Sequence, residues 1–109
     1  MSRYEFQRES RTPYSEALII SADGVEIGRV DLHYGLDIVN ATLCVPDTFA
    51  EDDVHELIGE IDDRLVLTAE PYREDFVVTV WLGRQAGVYS EEFDDEEGED
   101  EIDGNGRRE

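Results

Sequence analysis

The segment PDTFAEDDVHELIGEIDDRLVL, residues 46–67, decides how the rest of the chain must fold. Val54, Leu57, Ile58, Ile61 and Leu65 recur at intervals of three and four, which lines them up along one side of an α-helix. Thr48 and Glu51 stand at capping-box spacing, and Asp47, Glu51, Asp52 and Asp53 put negative charge at the positive end of the helix dipole. Gly59 weakens the helix by about 1 kcal/mol relative to alanine, and is read as a point of close approach to the sheet. No second helix is visible, so the stripe must be buried against strands.

Working outward, residues 16–22 and 25–34 read as a β-hairpin about Asp23-Gly24, a pair that accepts the positive φ of a type I′ turn. Ala22 should then oppose Val25, and Ile20 should oppose Ile27. The alternation changes parity at Gly28, and a β-bulge at Gly28-Arg29 would return Val30 to the side of Ile27. Gly35-Leu36-Asp37 makes the next turn. Residues 38–45 then alternate, and Pro46 ends that strand.

Beyond the helix, residues 65–68 read as either a last helical turn or a short extended piece, and residues 71–75 as a loop. Residues 76–82 form a strand with Phe76, Val78, Val80 and Leu82 on one face and Val77, Thr79 and Trp81 on the other. Apolar residues on both faces suggest a central strand, or one whose second face meets a partner. Val88-Tyr89-Ser90 is a candidate short edge strand.

The expected architecture is an α+β two-layer domain: a mainly antiparallel sheet of about four strands in the order β-β-β-α-β, with one amphipathic helix on one face. The helical crossover should be right-handed if its two flanking strands are parallel. Residues 1–14 are read as a flexible terminal segment, with an edge strand through Tyr4, Phe6 and Arg8 as the alternative. Residues 15–90 make the domain. Residues 91–109 read as a disordered acidic tail.

Charge bounds the partners. Twenty-nine acidic residues face nine basic ones, all arginine, for a net charge of −20. Residues 91–109 carry −9 of it and residues 1–90 carry −11, so the domain is acidic in its own right. Such a surface lacks the cations that nucleic acid or anionic lipid requires, so neither is an expected direct partner. A GC-rich genome or a high-salt cytoplasm would also produce this composition. No apolar leader follows Met1, no apolar run approaches a membrane span, and Cys44 is the lone cysteine; a reduced, cytoplasmic protein is expected. A packed region of roughly 75 residues is marginal alone, which favours dimerisation or a bound partner.

The helix should cover one face of the sheet, leaving the other as the place to seek function. Asp31, His33, Asn40, Thr42, Val77, Thr79 and Trp81 are assigned to that open face, together with Cys44. An aromatic among β-branched neighbours on a polar face is the composition of a modest contact patch. The ordinary alternative is that Trp81 only packs on neighbouring strands or beneath the N-terminal segment.

Asp31, His33 and Cys44 together would resemble a nucleophilic constellation, but no oxyanion loop or glycine-rich elbow accompanies them. His55 with Glu51, Asp52 and Glu56 offers too few ligands at helical spacing for a metal site. No cofactor is expected. The expected function is that of a small, acidic, non-catalytic interaction module whose open face or edge strand binds a protein or a second copy. The alternative is an acidic antagonist or nucleic-acid mimic that binds a basic protein surface; an enzyme using Asp31, His33 and Cys44 ranks below both.

Overall fold

The computed structural model describes residues 3–91, so all of the acidic tail but Glu91 lies outside the described residues. Five strands form one sheet in sequence order: β1 (Tyr4–Thr12), β2 (Ser15–Ala22), β3 (Val25–Tyr34), β4 (Ile38–Val45) and β5 (Asp75–Leu82). The first three pairings are antiparallel, and β4 pairs β5 in parallel across the helical connection. The domain is α+β, with a mixed sheet of five strands where about four were expected.

The additional strand is β1, so residues 4–12 are an edge strand and not a flexible terminus. The physical reason is Tyr4, only 1% exposed, with Phe6 packed on the same core. Burying two aromatic rings outweighs the entropy of a free end. Arg64 completes the attachment: its Nη1 donates to the Tyr4 carbonyl at 2.8 Å, and its guanidinium lies 4.7 Å from the Phe6 ring centre.

Ala22 opposes Val25, with Asp23 at φ 53° and Gly24 at φ 85°, as a type I′ turn requires. The bulge falls one residue earlier than expected. Ser21 opposes Glu26 and Ile20 opposes Gly28, so Ile27 is the extra residue and does not face Ile20. Gly28 is needed for a different reason: a Cβ there would stand 2.0 Å from the Cys44 carbonyl oxygen.

The helix begins later than the capping pattern implied. Helix α1 spans Glu51–Ile61 with Ala50 at its N-cap, and it is Asp53, not Glu51, whose carboxylate accepts the Ala50 N–H at 3.0 Å. Phe49 and Val54 stand at the N′ and N4 positions of a hydrophobic staple. A π-helical turn, Asp62–Val66, follows, and α2 (Leu67–Ala69) closes the segment, so residues 65–68 are helical. The π turn changes which side chain reaches the core. Leu57 and Ile61 are buried four residues apart, but the next buried position is Val66, five further on, while Leu65 is only partly buried. Gly59 approaches nothing: a Cβ there would meet no atom within 4 Å.

The core lies between this helical segment and one sheet face, built from Leu18, Ile20, Val30, Leu32, Leu43 and Val45 among others. β5 lies at the sheet's edge, which removes the expectation of a central strand. Residues 88–90 form no strand. Among the described residues, no helix is long and apolar enough to cross a membrane.

Candidate interaction surface

Strand register turns the open face into ordered rows. One row reads Ile19, Arg29, Cys44, Trp81; the next Ala17, Asp31, Thr42, Thr79; the third Ser15, His33, Asn40, Val77. All eight residues assigned to this face from the sequence therefore occupy its β3–β5 half. Their neighbours of opposite parity, Val30, Leu32, Val39, Ala41 and Leu43, are buried on the helix side. Side chains alternate across a strand, so burying one set obliges the other to face away.

Exposure rises toward β5. Thr42, Cys44 and Asp31 are half-buried by their neighbours, whereas Val77 is 43% and Trp81 62% exposed. Trp81 therefore lies neither beneath the N-terminal segment nor under the helix. Arg29 sits in its row two strands away. It donates from Nη2 to Asp31 at 3.0 Å and pairs with Glu9 at 3.2 Å, which knits β1 to β3 across β2.

This register separates the supposed nucleophilic group. Cys44 faces Arg29, while His33 lies four residues further along β3, about 13 Å away at 3.3 Å per residue. The Asp31 carboxylate engages Arg29. Cys44 does not lie across from Asp31 and His33, and the three do not form a constellation.

The two edges of the sheet differ. β1 carries Glu5, Arg8, Glu9 and Arg11, and its register slips between Arg8 and Ser10; charge and a bulge are both devices that block strand addition. β5 stays in unbroken register with β4 over eight pairs and, after Asp75 at its start, carries no charge and no proline from Phe76 to Leu82. Its Leu82 is 57% exposed. On the helix side an apolar groove lined by Phe49, Val54, Ile58, Val80 and Leu82, with Glu51 and His55 also in its wall, opens beside this same edge. His55 Nε2 lies 4.0 Å from Glu51, both largely exposed, and no group of three or more potential metal ligands converges among the described residues.

Sequence reasoning missed three residues. Ile19 was legible, since it alternates with the core residues Leu18 and Ile20. Arg29 was obscured by placing the bulge at Gly28-Arg29; with Ile27 as the extra residue, Arg29 turns to the open face.

The third is Glu16, only 5% exposed, which shares the core parity of Leu18 and Ile20. Its carboxylate accepts from the Tyr34 hydroxyl and from Arg8 Nε at 2.9 Å, with Arg11 Nη1 at 3.5 Å. Burial pushes this carboxyl's pKa up, but the hydrogen bonds from Tyr34 and Arg8 and the charges of Arg11 and Arg8 more than offset that, leaving it below the usual value. Every partner of Glu16 given by the structure comes from this chain: Tyr34, Arg8 and Arg11.

Comparison with protein-family models, with curated proteins and with solved structures finds no match to this chain.

Proposed function

We propose that this protein is a small, acidic, non-catalytic interaction module whose open sheet face, centred on Trp81, docks on a protein partner. The observation that carries the reading is Trp81 itself, 62% exposed at the end of a row that continues through Cys44 and Arg29 to Ile19. An indole left in water on a rigid sheet is the residue type on which binding energy concentrates. Truncating such an anchor costs about 2 kcal/mol or more, roughly thirtyfold in affinity.

The test is affinity capture with the full chain and three variants. Trp81→Ala and Thr42→Glu alter the open face, while Leu36→Ser alters an apolar residue 96% exposed in the β3–β4 turn. The first two should release the captured protein and the third should retain it. A partner retained by both open-face variants rules out docking on this face.

A second reading rests on the outer side of the helical segment, where Glu51, Asp52, Glu56 and Asp63 are exposed. This ridge suits a basic protein surface. Such a complex should weaken steeply as salt is raised, because exposed charges are screened within about 8 Å at physiological ionic strength.

A further inference from the structure

We infer that β5 pairs antiparallel with β5 of a second copy, joining two five-stranded sheets into one. This deepens the reading of the protein as an interaction module and rests on it, naming a second copy as the occupant of the edge.

The backbone sets the possible registers. Gly83 N–H donates to the Val45 carbonyl at 2.8 Å, so along the strand the backbone groups of Val77, Thr79 and Trp81 turn toward β4. Those of Phe76, Val78, Val80 and Leu82 turn outward, away from β4; the Phe76 N–H donates to the Asp75 carboxylate at 2.7 Å, a bond that pairing with a second copy would exchange.

Side-chain chemistry selects one register, centred on Thr79. It sets Val78 against Val80 and Phe76 against Leu82 as hydrogen-bonded pairs on the helix side. On the open face it sets Trp81 against Val77 twice, an aromatic facing a β-branched residue, a favourable cross-strand pair. The Phe76 side chain of the second copy arrives beside Leu82, at the mouth of the groove lined by Phe49, Val54 and Val80.

Charge agrees with this register. Two chains of net charge −20 repel at long range, yet the paired strands are uncharged from Phe76 to Leu82. Beyond them, the acidic Glu74-Asp75 end of one copy meets the Gly83-Arg84 end of the other. Shifting the centre by one residue toward Val78 would instead place Asp75 against Trp81. The opposite edge, β1, offers no equivalent, being charged and bulged.

The experiment uses the full chain. Sedimentation from micromolar to near-millimolar concentration should show a species of twice the 12.4 kDa chain mass, and the association should strengthen with added salt, as screening relieves the net repulsion. Thr79→Glu sets like charges face to face on an exposed position and should weaken the dimer at least tenfold while leaving the fold intact by circular dichroism.

Register is read by crosslinking in a Cys44→Ser background with oxidised glutathione. Directly opposed, non-hydrogen-bonded residues have Cα atoms about 4.5 Å apart, within disulfide reach. Thr79→Cys should therefore crosslink, whereas Val77→Cys, which faces Trp81, should not. A chain that stays monomeric throughout, or a Val77→Cys crosslink forming as fast as that of Thr79→Cys, overturns the inference. A monomer that still loses its captured protein on Thr42→Glu removes the β5 pairing and leaves open-face docking standing. A dimer whose captured protein ignores Thr42→Glu removes open-face docking and leaves the β5 pairing standing.

Discussion

Replacing Tyr34 by phenylalanine removes one hydroxyl and leaves the ring in place, so it isolates the bond on which the buried carboxylate of Glu16 depends. Glu16 has three partners, but the side chains of Arg8 and Arg11 are 55% and 44% exposed, and solvent screening discounts what they contribute. Tyr34 is 8% exposed and is the buried donor among them. A hydrogen bond from such a group to a charged acceptor is worth about 1.5–3 kcal/mol, and for a domain of this size each kcal/mol corresponds to roughly 4–8 °C in melting temperature.

Urea unfolding of the two proteins at neutral pH should show that loss, and the pH dependence identifies its origin. The folded pKa of Glu16 lies below its unfolded value, so the stability it contributes is present above about pH 4.3 and is lost as pH falls through the folded value. Tyr34→Phe removes one of the interactions holding that pKa down, so the gap between the proteins should narrow on acidification. At the alkaline end, burial and the bond to Glu16 push the Tyr34 pKa up, so its contribution is present below about pH 10 and fades as pH rises toward the folded value; the variant lacks that dependence. A loss under about 0.5 kcal/mol at neutral pH, or a gap indifferent to acid, would show that Tyr34 does not hold the carboxylate.

Two glycines should respond with opposite signs in the same unfolding assay. Gly59→Ala places a methyl in open space on a helix and should stabilise by about 0.5–1 kcal/mol, whereas Gly28→Ala collides with the Cys44 carbonyl and should cost about 1–3 kcal/mol; equal effects would refute the bulge geometry. The π turn predicts that Val66→Ala, which empties a fully buried site, costs about 1.5–3 kcal/mol and exceeds Leu65→Ala. An uninterrupted α-helix would reverse that order.

The parts of the fold that were legible rest on short-range chemistry. The Asp23-Gly24 turn was readable because few residue pairs accept two positive φ values. The β4 alternation was readable because Pro46 marks where it stops. What escaped depended on contacts distant in sequence. Residues 1–14 are polar enough to pass for a free end; Tyr4 and Phe6 packing on the core and meeting Arg64, sixty residues away, hold residues 4–12 as a strand. Thr48 with Glu51 is as good a capping box on paper as any; in the structure the cap is Ala50 with Asp53, and Phe49 just before it packs on the core. A π turn leaves no signature in a run whose apolar residues include both Leu65 and Val66.

The candidate surface was readable for the same reason, since period-two alternation assigns faces without knowledge of strand order. Strand order was what β5 lacked. Its apolar residues on both sides fit equally a strand buried in the middle of the sheet and an edge strand with an absent neighbour. The observed order places β5 at the edge, which eliminates the first, and leaves Val77 and Trp81 exposed on one side and Leu82 on the other. The opposite edge shows that this chain carries the ordinary means of closing a sheet, charge and a bulge, and has not used them on β5. That contrast within a single sheet is the physical ground for expecting the edge from Phe76 to Leu82 to be covered when the protein is at work.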